Sequence, residues 1–419
     1  MSIASHTDWE IRDTGAETNG GGFKDLNPGT SVDYSQQATA QLALTDIASN
    51  AAGTGISSAT GGFTAAMEGN CMYISGTGFV TGWYQIVGYT DTNNITIDRS
   101  CGASASGGTG NVGGAYKIGA GGTFATFFNT TNKASYDVCH VRAGNYSING
   151  AGVITLARTY LRWRGYQTTR GDAPTGTNRP LINGGDSNAC INWTGVYGVL
   201  EHLRFNNDYT SAGSNTMYIS GGGSVLRNCK FTRTGYNANA LSVGAIWAKI
   251  YQCEFESTLG IGLLISNSGI RVDYCWAHDC GSKGIANSGS SSYGVVVSNS
   301  IISNCASVGI QLYYGSAVQN CTVYNCLTGI QFATNLYMVA YSNIVQGCTI
   351  GITADEVTYS DFNIVYNCTT AYSGGVVPGP NSLTSDPLLV DPVNDDFTLS
   401  SASPAFNAGM KLGAIVGLP

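Results

Sequence analysis

A short phrase recurs seven times between residues 225 and 370, and this repeat constrains the fold more than any other feature of the chain. Six copies have an apolar residue, two turn residues, a small thiol or polar residue, and another apolar residue two places further on, and the seventh begins with Ser360 instead of an apolar residue. The fourth positions are Cys229, Cys253, Cys275, Ser300, Cys321, Asn343 and Asn363, which are 24, 22, 25, 21, 22 and 20 residues apart. A period in this range is typical of chains that stack their repeats as a solenoid.

Within each copy the apolar residues alternate over a few positions and are then interrupted, which predicts short strands joined by turns rather than helices. A bend just before the fourth position would let the apolar residues on both sides face inward, and Asn tolerates such a bend best. The residues at this bend include Asn228, Gln252, Asn299, Asn320 and Ser342. A second echo, eight or nine residues after the fourth position, predicts that glycine opens another strand at Gly262, Gly284, Gly309, Gly329 and Gly351.

A coil of about 22 residues with three short strands and three turns is one turn of a right-handed parallel β-helix. In this fold each strand pairs with its equivalent one coil above, roughly 4.8 Å away. A looser earlier coil at residues 199–205, with strand-like runs at 138–141 and 160–163, places the start of the solenoid near residue 123. The sequence therefore predicts an all-β chain with a right-handed parallel β-helix of about ten coils, a rod on the order of 50 Å long.

The rest of the chain divides into three further parts. Residues 36–122 have longer strand runs separated by Gly and Asn/Asp turns, and the turn from Asp91 to Asn94 predicts a hairpin in a small antiparallel β module. Residues 1–35 are broken by glycine and can hardly form a core alone, so we interpret them as an N-terminal anchoring arm. The predicted order is the arm at 1–35, the β module at 36–122, the β-helix at 123–380, and a C-terminal cap and tail at 381–419.

Composition excludes several classes of function. The chain has 57 glycines among 419 residues, 43% hydrophobic and 11% charged residues, as expected of a turn-rich globular protein. A formal charge of −7 without a basic run argues against a nucleic-acid partner. The sequence has no run of eighteen apolar residues and no secretory signal at its first residues. We therefore expect no membrane span, and synthesis in a reducing cytoplasm.

The cysteines follow the coil period, which bears on both disulfides and metals. The chain has thirteen cysteines, which is an odd number, and five of them stand five residues after the fourth position of a repeat copy. These five are Cys280, Cys305, Cys326, Cys348 and Cys368. A spacing of five between neighbouring cysteines matches no common zinc signature. We interpret the cysteines as reduced thiols stacked in the core, and we expect neither a metal site nor a cofactor.

Both ends of the chain carry motifs of a known family. The motifs at the C-terminal end are Asp386-Pro-Leu-Leu-Val-Asp-Pro392, Asp395-Asp-Phe-Thr-Leu399 and Ser403-Pro-Ala-Phe-Asn-Ala-Gly409. They resemble the terminal cap of bacterial and phage right-handed β-helix proteins, with Leu389 and Asn407 where that family usually has Phe and Asp. The opening at residues 9–23 likewise resembles β-helix proteins from phage and environmental viral sequences. The resemblance implies the pectate-lyase-like superfamily fold and, for its virion members, a homotrimer.

Stacked acidic residues are the feature to seek in a sugar-cleaving β-helix, because glycoside cleavage needs two carboxyls at a matched distance. On the strand after each bend, Glu254 and Glu256 lie on one face about 6.5 Å apart. Trp276 and His278 are expected on the coil above and Lys230 on the coil below. One hypothesis is a carbohydrate site in which Trp276 stacks on a sugar ring and the glutamates act as acid and base. The alternative is a mixed-charge surface strip in which Lys230 pairs with Glu254.

Other positions offer weaker candidates for chemistry. Pectin-active relatives place catalysis on the strand that opens each coil, but the outward residues there are Ala286, Gln311, Tyr313, Gln331 and Thr353, without an acid pair. Asp355 and Glu356 stand alone at a strand end. Glu201 and His202 are neighbours, which face opposite ways in a strand, so a polar turn is the favoured interpretation. His140 has no ligand partners at metal-site spacing.

These features favour a non-enzymatic virion surface protein of a bacteriophage. In this hypothesis residues 1–35 attach to other virion proteins, in the capsid or the tail hub, and the rod projects outward as a capsid decoration or tail spike. The rod is also a candidate for binding host cell-surface glycans, with Trp276, His278 and Lys230 as candidate contacts. One alternative is a polysaccharide-degrading tailspike enzyme acting through Glu254 and Glu256, as a lyase or a hydrolase. A second is a bacterial extracellular glycan-binding adhesin.

Overall fold

A computed structural model describes residues 6–118, 134–148, 154–185, 191–210, 215–289, 292–333 and 337–406. The chain divides into two compact units, residues 1–183 and 184–419. All regular structure among the described residues is β-strand, apart from four 3-10 turns at Tyr34–Gln36, Ala65–Met67, Gly176–Asn178 and Pro392–Asn394. The predicted all-β class is therefore confirmed.

The first unit combines a barrel with the first coils of the solenoid. Its strands are β1 (Asp8–Ala16), β2 (Gly22–Phe23), β3 (Leu42–Ser49), β4 (Gly55–Ser58), β5 (Cys71–Ser75), β6 (Gly82–Asp91), β7 (Asn94–Ile97), β8 (Gly108–Val112), β9 (Val138–Arg142), β10 (Asn145–Ser147), β11 (Ile154–Leu156), β12 (Arg162–Tyr166) and β13 (Leu181–Asn183). Strands β3 to β8 pair antiparallel and close into a six-stranded barrel in the order β3-β4-β7-β6-β5-β8. The predicted antiparallel module is thus present.

The barrel has its own core, which explains why this part of the sequence differs in pattern from the repeat. Leu44, Ile47, Ile74, Ile86 and Ile97 are among the buried side chains that pack inside it. Strands β6 and β7 form the predicted hairpin, with Asp91 opposite Asn94. The alternating apolar residues of these longer strands therefore point into the barrel.

The first strand belongs to the solenoid sheet, although its residues fall within the predicted anchoring arm. Strand β1 pairs in parallel with β9, and β9 pairs in parallel with β12, so that Trp9, Cys139 and Trp163 are in register. All three of these side chains are buried. The carboxylate of Glu10 is also fully buried and accepts hydrogen bonds at 2.6 Å from Nε of Arg12 and Nε of Arg170. Residues 8–16 therefore form a paired strand of the first unit, while the predicted solenoid start near residue 123 lies outside the described residues.

The second unit contains most of the solenoid. Its strands are β14 (Ile191–Trp193), β15 (Val199–Glu201), β16 (Arg204–Asn207), β17 (Met217–Ile219), β18 (Val225–Arg227), β19 (Lys230–Arg233), β20 (Leu241–Val243), β21 (Lys249–Tyr251), β22 (Glu254–Ser257), β23 (Leu263–Ile265), β24 (Arg271–Asp273), β25 (Trp276–His278), β26 (Ile285–Asn287), β27 (Val296–Ser298), β28 (Ile301–Ser303), β29 (Val308–Leu312), β30 (Ala317–Gln319), β31 (Thr322–Tyr324), β32 (Thr328–Phe332), β33 (Val339–Tyr341), β34 (Ile344–Gln346), β35 (Ile350–Asp361), β36 (Ile364–Tyr366), β37 (Thr370–Pro378), β38 (Leu389–Asp391) and β39 (Asp396–Leu399).

These strands form three parallel faces, and each coil contributes one strand to each face. The first face begins with β14, β17 and β20, the second with β15, β18 and β21, and the third with β16, β19 and β22. Each strand pairs in parallel and in register with its equivalent in the next coil. The third face has eight strands in this unit. In the first unit, β10 and β13 pair in parallel in the same way. The predicted right-handed parallel β-helix is confirmed.

The bend between the second and third faces is left-handed in backbone conformation. The φ angles are +50° at Asn228, +51° at Gln252, +48° at Asn299, +52° at Asn320 and +54° at Ser342. Two further copies use larger residues at the same place, Tyr274 at +53° and Phe362 at +58°. Asn pays least for this conformation because its short polar side chain tolerates it. The predicted bends are therefore confirmed.

Inside the solenoid, equivalent residues stack on one another. On the third face Phe205, Phe231 and Phe255 form a continuous ring stack with centroid distances of 5.2 and 5.8 Å. Next to it, the small residues of the fourth positions are all buried, and Oδ1 of Asn343 accepts a hydrogen bond from the Cys321 N–H at 2.9 Å. Of the twelve cysteines described, eleven are buried and Cys368 is half-buried, and none is in a disulfide. The predicted burial of the thiols is confirmed for the cysteines that follow the coil period, whereas Cys71 and Cys101 lie in the barrel and Cys190 lies outside the described residues.

The glycine that opens the first-face strand in several coils is required by a close approach. A Cβ at Gly309 would lie 2.7 Å from the carbonyl oxygen of Gly329 and 2.6 Å from Cγ1 of Val323. A Cβ added at Gly262, Gly284, Gly329 or Gly351 would likewise lie 2.4–2.8 Å from a carbonyl oxygen of the next coil. Heavy atoms do not approach so closely, so any larger residue would push the coils apart.

The C-terminal motifs form a small cap. Strands β38 and β39 pair antiparallel, and the ring of Phe397 lies 5.8 Å from the ring of Tyr324 on the third face. Leu389 is the first residue of β38, whereas Asn407 and Gly409 fall outside the described residues.

We expect Gly309→Ala to lower the free energy of unfolding by about 3 kcal/mol, because the added methyl group meets the backbone of the next coil. Gly315→Ala is the matched control: no atom lies within 4 Å of its added Cβ, but φ is +56°. The strain there should cost about 1 kcal/mol. Chemical denaturation of the two variants compares these costs, and equal losses would contradict the close-approach explanation.

Candidate functional site

The acidic pair and its neighbours lie on the outer surface of the third face, on three adjacent strands. Strand β19 supplies Lys230, β22 supplies Glu254 and Glu256, and β25 supplies Trp276 and His278. In register, Lys230 lies beside Glu254 and Glu254 beside Trp276, while Glu256 lies beside His278. Outward and inward residues alternate along each strand, and the inward neighbour Phe255 is buried in the ring stack. The structure therefore brings all five predicted residues together.

The charged groups of this strip are in direct contact with one another. Nζ of Lys230 lies 2.8 Å from Oε1 of Glu254 and 3.2 Å from Oε2 of Glu256, so it bridges the two carboxylates. His278 contacts Oε1 of Glu254 through Nε2 at 3.2 Å and Oδ2 of Asp279 through Nδ1 at 2.8 Å. The ion pair between Lys230 and Glu254 that the sequence indicated is present, and it belongs to a continuous network of one ammonium group, one imidazole and three carboxylates.

This network changes the pKa values of its members. Burial alone would raise the pKa of Glu254, but hydrogen bonds from His278 and Lys230 outweigh it and lower that pKa to about 2. Burial alone would lower the pKa of His278, but hydrogen bonds to Glu254 and Asp279 raise it above its ordinary value. The pKa of Lys230 is raised by the same carboxylates against the effect of burial. Near neutral pH, Glu254 is therefore ionised.

Trp276 is half-buried and occupied on one side. Its ring lies 4.0 Å from the imidazole of His278 at an interplanar angle of 29°, and its Nε1 donates a hydrogen bond at 3.2 Å to Oγ of Ser303. The stacked imidazole takes one face of the indole that a sugar ring would need. Only the remaining exposed part of Trp276 is accessible to a ligand.

Asp279 is a member of the strip that sequence reasoning missed. Residues adjacent in a strand point in opposite directions, so Asp279 was not expected to contact its neighbour His278. Its φ of +49° ends the strand and turns the carboxylate back toward the imidazole. The sequence carried a signal for this turn, because the equivalent positions in the next two coils are Asn304 and Asn325, and Asn is typical of positive φ. In the structure φ is positive at both.

The weaker candidates have structural roles. Glu201 is buried and lies 3.3 Å from Nη1 of Arg227, whereas His202 stands at the bend and its Nδ1 is 2.7 Å from Nδ2 of Asn228. His140 contacts Asp8, with Nε2 3.7 Å from Oδ1. Gln311 and Gln331 hydrogen-bond to each other at 2.9 Å on the first face. None of these contacts creates a pair of carboxyls across an open site.

The part of the chain that the structure describes contains neither a group of metal ligands nor a membrane-spanning helix. Within these residues, no group of three or more His, Cys, Asp and Glu side chains is placed to hold a metal ion. No helix in this part of the chain has both the length and the apolar character needed to cross a membrane.

Comparison with known proteins bears on the fold. A family model described as "Right handed beta helix region" matches residues 185–327. Comparison with curated protein sequences gives no significant match. The family match agrees with the parallel coils described above.

Several solved structures are similar to this chain at low identity. One is pectate lyase Pel9A, with 14% identity, a TM-score of 0.44, and coverage of 68% of this chain and 86% of that chain. A second is the Dettilon tailspike protein, with 13% identity, a TM-score of 0.40, and coverage of 59% and 54%. A third is the A-module of the mannuronan C-5 epimerase AlgE4 of Azotobacter vinelandii, with 13% identity, a TM-score of 0.32, and coverage of 59% and 91%.

The raised pKa of His278 predicts a pH-dependent contribution to stability. A group with a raised folded-state pKa stabilises fully below its unfolded value, here about 6.5, and loses that contribution as the pH rises through the folded value. We expect His278→Gln to lower the melting temperature most below pH 6.5 and progressively less above it. Glu254 acts in the opposite sense, because its contribution is complete above 4.5 and is lost as the pH falls toward 2.

Thermal unfolding at a series of pH values measures the effect of His278→Gln. His6→Gln is the control, because His6 is exposed and lies 4.0 Å from its nearest carboxylate oxygen. A loss of stability at His278→Gln that is the same at every pH would mean that the imidazole does not gain a proton in this network.

Proposed function

We propose that this chain is a non-enzymatic surface protein of a bacteriophage virion, whose β-helix presents a binding surface for host glycans. The observation that carries the non-enzymatic part is the set of contacts in which Lys230 bridges Glu254 and Glu256 and His278 contacts Glu254. This strip contains the acidic pair best placed for sugar chemistry in the sequence, and its charges are already satisfied by neighbouring side chains.

Acid–base hydrolysis of a glycosidic bond makes demands that the strip does not meet. One carboxyl must stay protonated near neutral pH, which requires a raised pKa, whereas the pKa of Glu254 is lowered to about 2. Space for the scissile bond must also lie between the two carboxyls. Here the ammonium group of Lys230 lies between them, within 3.2 Å of both. The strip is therefore suited to holding adjacent coils together.

The virion location is supported by the motifs at both ends of the chain. The C-terminal motifs resemble the cap of phage β-helix proteins, and the described part of this segment folds as the pair β38 and β39 against Tyr324. Within residues 1–35, strand β1 is packed in a sheet, while residues 25–30 are exposed. We assign the contact with other virion proteins to this exposed loop. Capsid decoration and tail spike both fit the proposal, and in either case the protein is made in the host cytoplasm.

Glycan binding is supported by exposed aromatic side chains along the solenoid. Aromatic rings that combine an apolar face with a polar group suit surfaces that stay in contact with water. Exposed examples are Tyr136, Tyr160, Tyr197, Trp247, Tyr293, Tyr337 and Tyr359. Trp276, His278 and Lys230 remain further candidate contacts at the edge of the strip.

The first test separates binding from cleavage. We expect the purified chain to bind capsular or lipopolysaccharide glycans from a panel of bacterial hosts without releasing reducing ends or unsaturated products. Surface plasmon resonance measures binding, and a reducing-end assay with absorbance detection of unsaturated sugars measures cleavage. Product release that disappears in the double variant Glu254→Gln/Glu256→Gln would instead establish the alternative, a polysaccharide-degrading tailspike enzyme.

The second test concerns self-association, which the proposal places in a homotrimer. An apolar patch of Val357, Tyr359 and Val377 is exposed on β35 and β37, and Tyr359 is in register with Val377. Exposed apolar patches of this kind mark protein contacts. Light scattering should give three times the chain mass of 43.6 kDa. The variant Val377→Asp should lower this mass, whereas Val80→Asp, at an exposed valine of the first unit, should leave it unchanged. A wild-type monomer at micromolar concentration would refute the trimer.

A further inference from the structure

The corner between the first and second faces carries a surface that the charged strip does not involve. Four successive coils place Tyr197, Gly223, Trp247 and Gly269 at the same corner position. The main-chain hydrogen bonds establish this register: the N–H of Tyr197 donates to Gly222 O at 2.8 Å, that of Gly223 to Ile246 O at 2.9 Å, and that of Trp247 to Ser268 O at 3.1 Å. Aromatic residues and glycine therefore alternate from coil to coil.

Each aromatic ring lies with one edge against the glycine of the next coil. A Cβ at Gly269 would lie 2.4 Å from Cδ1 of Trp247, and a Cβ at Gly223 would lie 2.5 Å from Cδ1 of Tyr197. The side chain of Trp247 is nevertheless 65% exposed, and that of Tyr197 is 50% exposed. The glycines thus support one side of each ring, and much of the rest of each ring faces solvent.

The backbone at these two aromatic residues is in an unfavourable conformation. Both Tyr197 and Trp247 have φ of +54°, in the left-handed region that bulky residues rarely adopt. Residues held in this region cost roughly 1 kcal/mol or more and persist where the surrounding structure imposes them. Glycine would fit the position without strain, as it does at Gly223 and Gly269. The aromatic residues are therefore not there to stabilise the backbone.

The two rings are separated by two coils, or roughly 9.6 Å at the spacing of paired strands. Rings at this interval along a straight line leave a gap between them. A linear polysaccharide repeats over a comparable length when every second sugar faces the same way. The corner therefore matches an extended glycan better than a compact ligand.

Two exposed cations follow Trp247 on the second face. Lys249 and Arg271 stand side by side in register on β21 and β24, with Val225 and Val296 beyond them in the same column. Both side chains are exposed, and neither makes an ion pair within the residues that the structure describes. Like charges directly opposite each other on paired strands are destabilising. Such a pair in a chain with a net charge of −7 is a candidate for recognising an anion.

The acids nearest to these cations along the second face already have partners. Oδ1 of Asp273 accepts hydrogen bonds from Oγ of Ser298 at 3.0 Å and Nδ2 of Asn299 at 2.8 Å. Glu201 pairs with Arg227 at 3.3 Å. Within the described residues neither acid forms an ion pair with Lys249 or Arg271, so both cations remain accessible to an anionic ligand.

We propose that the corner formed by Tyr197, Trp247, Lys249 and Arg271 binds a linear anionic polysaccharide that carries carboxylate groups. Sugar rings stack on Tyr197 and Trp247, and a sugar carboxylate pairs with Lys249 and with the planar guanidinium of Arg271, which can donate two parallel hydrogen bonds. This assignment rests on the glycan-binding part of the proposed function and is independent of the virion location.

Isothermal titration calorimetry of the full chain tests the assignment. The probes are a polyuronate oligomer, such as oligogalacturonate, a neutral glucose oligomer of the same length, and single-stranded DNA. The wild type should bind the polyuronate, more weakly as salt is raised, and should bind the neutral oligomer less tightly. Trp247→Ala and the double variant Lys249→Ala/Arg271→Ala should each weaken binding about tenfold or more. Phe406→Ala and Lys117→Ala, at exposed positions elsewhere, are the matched controls and should bind as the wild type does.

Several outcomes would overturn the assignment. They are unchanged binding in both site variants, an equal loss in the controls, and tighter binding of single-stranded DNA than of the polyuronate. Binding of neutral glycans alone would overturn the anionic assignment but leave the proposed function intact. A chain that binds no glycan would remove both. Because the substituted side chains are exposed, circular dichroism and melting temperature should match the wild type and exclude a folding defect.

Discussion

The structure of the second unit depends on main-chain hydrogen bonds between equivalent positions of successive coils. Because the strands of each face are parallel and in register, every side chain lies next to its own counterpart one coil away. Residues that tolerate self-stacking therefore fill the inside, as the Phe205 to Phe255 stack and the buried cysteines show. The close approach of successive coils also leaves no room for a Cβ at Gly309, because the added atom would lie 2.7 Å from the carbonyl oxygen of the next coil.

In-register stacking also governs the charges on the outside. A charged residue faces whatever stands at the same position one coil above and below, so each column must be compensated across coils. On the third face Lys230 lies between two glutamates, and His278 joins Glu254 to Asp279. On the second face Lys249 meets Arg271 with no such compensation. The ion pairs of Lys230 stabilise the solenoid. The adjacent charges of Lys249 and Arg271 can be compensated by an anionic ligand.

The repeat predicted much of the second unit, because in-register pairing turns sequence spacing directly into spatial contact. It predicted the bends at Asn228 and Asn299, the glycine at Gly309 and the burial of the periodic cysteines. Strand β1 was not predicted, because it pairs with β9 about 130 residues away and carries no copy of the repeat phrase. Its burial of Glu10 depends on Arg170, a partner that no local pattern indicates.

For the candidate site, the sequence placed Lys230, Glu254, Glu256, Trp276 and His278 on one surface, since residues at equivalent positions of a coil must be neighbours. What it left open was whether the glutamates act as acid and base or are paired. Only the tertiary structure decided this, because the pKa of Glu254 depends on the position of an ammonium group and an imidazole within 3.2 Å. The sequence by itself determined the coil, its bends and its inward columns through the period. Folding decided the charge state of the outward columns, the place of β1 and the support of Trp247 by Gly269, because distances between side chains of different coils cannot be read from spacing alone.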